Sequence, residues 1–121
     1  MRLRPAGVAL WQDVQRWILR TLDHLGAESR MGPKLHRTFI DAGLPAPILD
    51  TRTIMRGAAD APLWFFVNVV RAFVPMLAQL GVDPRHIGID TLEDRLRADL
   101  DEHDAIAILP PLTGAWTRIP A

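Results

Sequence analysis

A mixed fold, α+β when the chain is taken alone, follows from three observations in the 121-residue sequence. Apolar residues recur at helical spacing in about four segments. Only two stretches have strand character, Pro47–Met55 (PILDTRTIM) and Ala105–Trp116 (AIAILPPLTGAW). Between these segments the punctuation is single glycines and prolines, with no internal repeat and no low-complexity linker, so residues 1–121 read as one unit.

The first helix is expected from Val8 to Leu25, where Trp11, Val14, Ile18, Leu22 and Leu25 form one apolar face, Trp17 widens it and Gly26 stops it. Met31, Leu35 and Phe39 recur at four for a second helix, which Gly43 ends and Pro45 and Pro47 keep from restarting. In Pro47–Met55 the side chains of Ile48, Asp50, Arg52 and Ile54 alternate with Leu49, Thr51, Thr53 and Met55, as a strand requires.

Asp60 stands where an N-cap would, ahead of Pro62 and the longest apolar segment: Leu63, Phe66, Val67, Val70, Phe73, Val74, Leu77 and Leu80. Trp64, Phe65 and Val69 make that helix apolar on its other side as well, which predicts burial on several sides, and Pro75 interrupts its hydrogen bonding. Asp90 followed by Glu93 reads as a capping box for a last helix with a thin stripe of Leu92, Leu96 and Leu100 and a solvated outer face that includes Arg95 and Arg97. The final stretch is a strand broken by Pro110-Pro111, with Trp116 expected to pack on a neighbouring helix or sheet edge.

Composition bounds the function. Half the residues are apolar and a quarter charged, as in core-forming proteins, and the net charge of zero makes no electrostatic case for nucleic acid or an anionic membrane. The charge is uneven, with a surplus of four positive charges in residues 1–40 and four negative charges in 81–121, which reads as two solvated helix faces that attract one another. Without cysteine there are no disulfides, thiolate metal sites or cysteine nucleophiles. The basic start Met1–Pro5 is followed too soon by Gln12, Asp13 and Arg16 for a signal-peptide core, so a cytoplasmic location is expected.

Candidate chemistry is sparse. The single serine, Ser29, lacks a nucleophile motif. The histidines His24, His36, His86 and His103 have no metal-ligand spacing, and none is assigned a metal. His36, at the border of the second helix's apolar face, is the one candidate general base, against the alternative of a partly buried histidine bonded to backbone. Aromatic residues at helical spacing are mostly core. Trp64 and Phe65, with Asn68 and Arg71 as polar neighbours, are the candidates to line a pocket for a planar molecule.

Two strands are not a sheet that survives alone in water. Either they pair across a two-fold axis with a second copy, or they end a larger sheet. Three phrases bear on this: "RMGPKLHRTFIDAGLPAP" (Arg30–Pro47), "IDTLEDRLRADL" (Ile89–Leu100) and "LPPLTGAWTR" (Leu109–Arg118). In order and wording they resemble the C-terminal part of class I S-adenosylmethionine-dependent methyltransferases of small molecules, over Trp11 to Pro120. The resemblance implies a Rossmann-like α/β sheet of seven strands, the last two an antiparallel pair. Pro47–Met55 would be the sixth strand, Ala105–Trp116 the seventh, the helices a lid over the acceptor, and the first five strands would lie upstream of Met1.

On that resemblance the acceptor pocket would draw on Met31, His36, Phe39, Trp64, Phe65 and Asn68. The family's cofactor site needs a glycine-rich turn after the first strand. The eight glycines, at positions 7, 26, 32, 43, 57, 81, 88 and 114, include no G-x-G, so no cofactor-binding residue is expected in this chain, which would be inactive alone. The alternative expectation is a non-catalytic homodimerising or partner-binding module.

Overall fold

The computed structural model describes residues 6–120, with side chains from residue 9 onward. The basic start read from Met1–Pro5 lies outside the described residues. Among the described residues the chain is mixed α and β: four long helices, one short helix and two small antiparallel sheets. It divides into two compact units, one made of residues up to Ala27 with Met55–Ala107, the other of Glu28–Ile54 with the chain from Ile108 onward.

The first unit holds helices α1 (Ala6–His24), α3 (Leu63–Gln79), α4 (Pro84–Ile87) and α5 (Ile89–Glu102). Helices α1, α3 and α5 pack pairwise around one core. Its largest fully buried side chains include Leu63, Val70 and Leu77 from α3, Leu92, Leu96 and Leu100 from α5, Val14 from α1 and Ile87 from α4. Strand β2 (Met55–Arg56) pairs with β3 (Ala107–Ile108), where the chain passes out of this unit.

Several local expectations are corrected here. On α1 the buried stripe is Trp11, Val14, Trp17 and Thr21, and Leu25 is exposed just past the helix end. Thr21 is tolerated in the core because its hydroxyl donates to the Trp17 carbonyl at 3.0 Å, one turn back. Asp60 does not cap α3: the N-cap is Pro62, and Asp60 instead faces the Arg56 guanidinium at 3.8 Å.

The Asp90–Glu93 capping box does not form either. Helix α5 starts directly after Gly88, whose left-handed backbone (φ 59°) ends α4 and opens α5, so Asp90 falls inside the first turn. Glu93 faces Arg97 one turn on, at 3.5 Å. Helix α3 continues through Pro75 to Gln79, and its burial is one-sided: Trp64, Phe65, Asn68, Arg71 and Pro75 are exposed.

Arg95 and Arg97 are not simple surface charges. Arg95 donates to the carbonyls of Ile87 and Gly88, where α4 gives way to α5. Arg97 donates to the carbonyls of Ala58 and Ala61, fastening the segment before α3 to α5. The uneven charge is not expressed as ion pairs between α1 and α5 among the described residues. Asp13 and Arg16 pair along α1, and Arg20 donates to the Leu80 carbonyl at 2.6 Å.

The second unit holds α2 (Met31–Asp41) and strands β1 (Ile48–Arg52) and β4 (Leu112–Trp116). The strands are antiparallel, with Ile48 opposite Trp116, Asp50 opposite Gly114, Thr51 opposite Thr113 and Arg52 opposite Leu112. Pro110-Pro111 separates β3 from β4, so the last expected strand is two, each with its own partner. Helix α2 packs on β4. The half-buried stripe of α2 is Gly32, Leu35 and Phe39, one residue round from the expected Met31, Leu35 and Phe39.

Among its described residues this unit buries none, and every residue of β1 is exposed. Ile48, Leu112 and Trp116 share an open sheet face; Trp116, expected to be packed, is half exposed.

Candidate functional site

The six expected pocket residues fall on two helices in two different units. Trp64, Phe65 and Asn68 lie on α3 in the first unit, whereas Met31, His36 and Phe39 lie on α2 in the second.

On α3 the arrangement starts from helical spacing. Trp64, Asn68 and Arg71 lie one turn apart, so they share a face, and Phe65 flanks it. The Trp64 and Phe65 rings meet edge to face at 6.0 Å, Phe65 meets Phe66 at 5.3 Å, and Phe66 meets the buried Trp11 at 5.2 Å. These four rings run from solvent into the core, and each edge-to-face contact holds the next ring in place. Arg71 reaches Asp90 of α5 at 3.6 Å. The result is an open aromatic surface with an amide and a guanidinium beside it. It can stack on a planar molecule and hydrogen-bond its edge, but it is not an enclosed pocket.

On α2, Phe39 is half-buried, and Met31 and His36 are exposed. Among the described residues no hydrogen bond or ion pair orients the His36 imidazole, whereas a general base is normally held by a second group. The other histidines have local roles. His24 ends α1; His103 places Nδ1 2.9 Å from the Asp99 carbonyl at the end of α5; His86 meets Trp17 edge to face at 6.3 Å. Among the described residues no group of three or more His, Asp or Glu side chains could hold a metal.

Sequence reasoning missed two adjoining open clefts in the first unit. One, of about 350 Å³, lies between Ala58, Ala59 and the α5 residues Asp94, Arg97, Ala98 and Asp101. The other, of about 220 Å³, is lined by Gly57, Leu100, Asp104 and Ile106 among others. Neither includes an expected pocket residue. Arg97 directs both Nη atoms to the Ala58 and Ala61 carbonyls, and beside it the larger cleft offers the Asp94 and Asp101 carboxylates and alanine methyls. Its one signal in the sequence is the small-residue run Gly57-Ala58-Ala59 ahead of a helix.

No protein-family model matches this chain, and neither a curated protein nor a solved structure matches it. No helix among the described residues is long and apolar enough to cross a membrane.

Proposed function

We propose that this chain is the C-terminal, substrate-capping portion of an S-adenosylmethionine-dependent methyltransferase, with the cofactor-binding strands supplied from outside it. One observation carries the reading. The β1–β4 pair joins the two segments that resemble the family's last two strands, and its unit buries no described residue. Such a sheet lacks a core of its own and gains one by joining further strands.

Within that reading the acceptor is a small molecule, and Trp64, Phe65 and Asn68 are the surface it meets first. His36 remains the candidate base for a hydroxyl acceptor. Methyl transfer is an in-line displacement at the cofactor's sulfonium, so this portion contributes orientation and water exclusion rather than covalent chemistry. The chain alone is proposed to be inactive, because no glycine-rich turn is present to cradle the cofactor.

The test is calorimetric titration of the 121-residue protein with S-adenosylmethionine, alongside the sequence encoded upstream of Met1. Absence of binding together with an upstream glycine-rich strand–turn–helix is the expected result. Micromolar binding by this chain, or an upstream region that encodes no such element, overturns the reading.

A further inference from the structure

We infer that the open edge of β1 is a homodimer interface, at which β1 of one chain pairs antiparallel with β1 of a second copy across a two-fold axis at Thr51. This does not depend on the methyltransferase reading. It uses only one edge of the β1–β4 sheet and leaves the β4 edge for any further strands.

The argument starts from the charges. An exposed edge strand is a template for pairing, and charged side chains commonly blunt it. Here β1 carries one of each sign two residues apart, Asp50 and Arg52, on the same face. In an in-register parallel pair, like charge would face like: Asp50 against Asp50 and Arg52 against Arg52. In an antiparallel pair about Thr51, each Asp50 stands opposite Arg52 of the second copy. Ile48 then meets Ile54, and Leu49 meets Thr53. The charges that repel other strands therefore accept this same strand reversed, and only about a two-fold axis.

The structure keeps this edge usable. All five β1 residues are exposed, the β1–β4 register is unbroken, and no proline occurs from Ile48 to Ile54. Asp50 and Arg52 lie 3.6 Å apart, with side chains 56% and 83% exposed, so both are free to exchange partners. Two-fold pairing would produce a four-stranded sheet with an alternating square of four charges on one face. The α2 helices, which pack on β4, would share the opposite face. A single strand pair is smaller than a standard interface, so the dimer is weak and forms with rising protein concentration.

Sedimentation equilibrium over the micromolar to millimolar range tests this, with circular dichroism as the folding control. The wild-type chain is expected to dimerise reversibly. Asp50→Arg alone and Arg52→Asp alone each set like charges opposite one another and should weaken dimerisation about tenfold or more. An equal mixture of these two variants should form a heterodimer, because each chain then presents one sign to the other. The double variant Asp50→Arg/Arg52→Asp should recover the homodimer. A wild-type chain that stays monomeric, or a dimer whose strength ignores these exchanges, overturns the proposal.

Discussion

A methyl group placed on Gly32 would stand 2.8 Å from Thr113 Oγ1 and 3.2 Å from Thr113 Cβ, so the glycine sets how closely α2 lies on β4. Thr113 has little room to yield. It is β-branched, and its hydroxyl shares a hydrogen bond with Thr51 at 2.9 Å. Gly32→Ala should gain about 1 kcal/mol of helix propensity and lose about 1–3 kcal/mol to overpacking, for a net loss of unit stability. Thr113→Ala removes the nearest crowding atom, Oγ1, and leaves Cβ at 3.2 Å, so the double variant should lose less than the sum of the two single changes. A double-mutant cycle in urea checks this, and strict additivity would show that the two residues do not meet.

Arg97 supports a different kind of expectation. From α5 its guanidinium donates to the Ala58 and Ala61 carbonyls of the segment before α3, a charge-assisted pair on a side chain about one-third exposed. Arg97→Met should cost about 1–2 kcal/mol in urea unfolding and raise hydrogen exchange selectively at the Ala61 amide, which bonds the Gly57 carbonyl at 3.0 Å. Arg97→Lys should recover only part of that protection, because an ammonium lacks the fork that spans two carbonyls. Unchanged exchange in both variants would mean that this segment is held without Arg97, by its own turn from Gly57 to Ala61.

The same arginine shows what the sequence could and could not reveal. Stripes with a clear period were legible: Leu92, Leu96 and Leu100 are all buried, and so are Leu63, Val67, Val70 and Leu77. Trp64 and Phe65, off that stripe, are exposed although the apolar far side of α3 predicted burial on several sides. Helix α4 was overlooked although its start signal is plain. Asp83 accepts from the Arg85 amide at 2.9 Å, and Pro84 occupies the first turn.

What could not be read depends on distant partners. Arg95 and Arg97 sit at polar positions of an amphipathic pattern, and only the fold brings backbone carbonyls within their reach. On α1, Trp17 and Thr21 are buried where Ile18 and Leu22 were expected, because the helix face is set by its α3 and α5 neighbours and a threonine can satisfy its hydroxyl one turn back. Periodicity likewise put Met31, His36 and Phe39 on one helix and Trp64, Phe65 and Asn68 on another, but it could not assign those helices to two different units.

The uneven distribution of the core yields a contrast. Leu96 is fully buried in the first unit, and Leu96→Ala should cost about 2–5 kcal/mol in urea unfolding followed by circular dichroism. Ile48 is as large but 61% exposed on the open face of β1, and Ile48→Ser should change stability by no more than about 0.5 kcal/mol. A loss at Ile48 approaching that at Leu96 would mean that the sheet face is covered in solution.

Acid should act late on the helix start at Asp83, after ordinary carboxylates have taken up protons. The Arg85 side chain donates to both Asp83 carboxylate oxygens, at 3.3 and 3.0 Å, and the Arg85 amide adds a third bond, so the Asp83 pKa is lowered from its ordinary 3.8. A carboxyl whose folded pKa is depressed contributes stability that is complete above its unfolded value and is lost as pH falls through the folded one. The α4 turn should therefore be indifferent to pH at neutrality and loosen only below the ordinary carboxylate range. Glu28, lowered in the same direction by Lys34 and by the Arg30 amide, should behave likewise at the start of the second unit. Carboxyl-detected NMR titration checks both. Arg85→Gln should move the Asp83 midpoint up toward 3.8 without reaching it, since the backbone bond remains, and leave Glu28 where it was. An Asp83 midpoint at or above its ordinary value in the unaltered protein would show that the cap is not formed in solution.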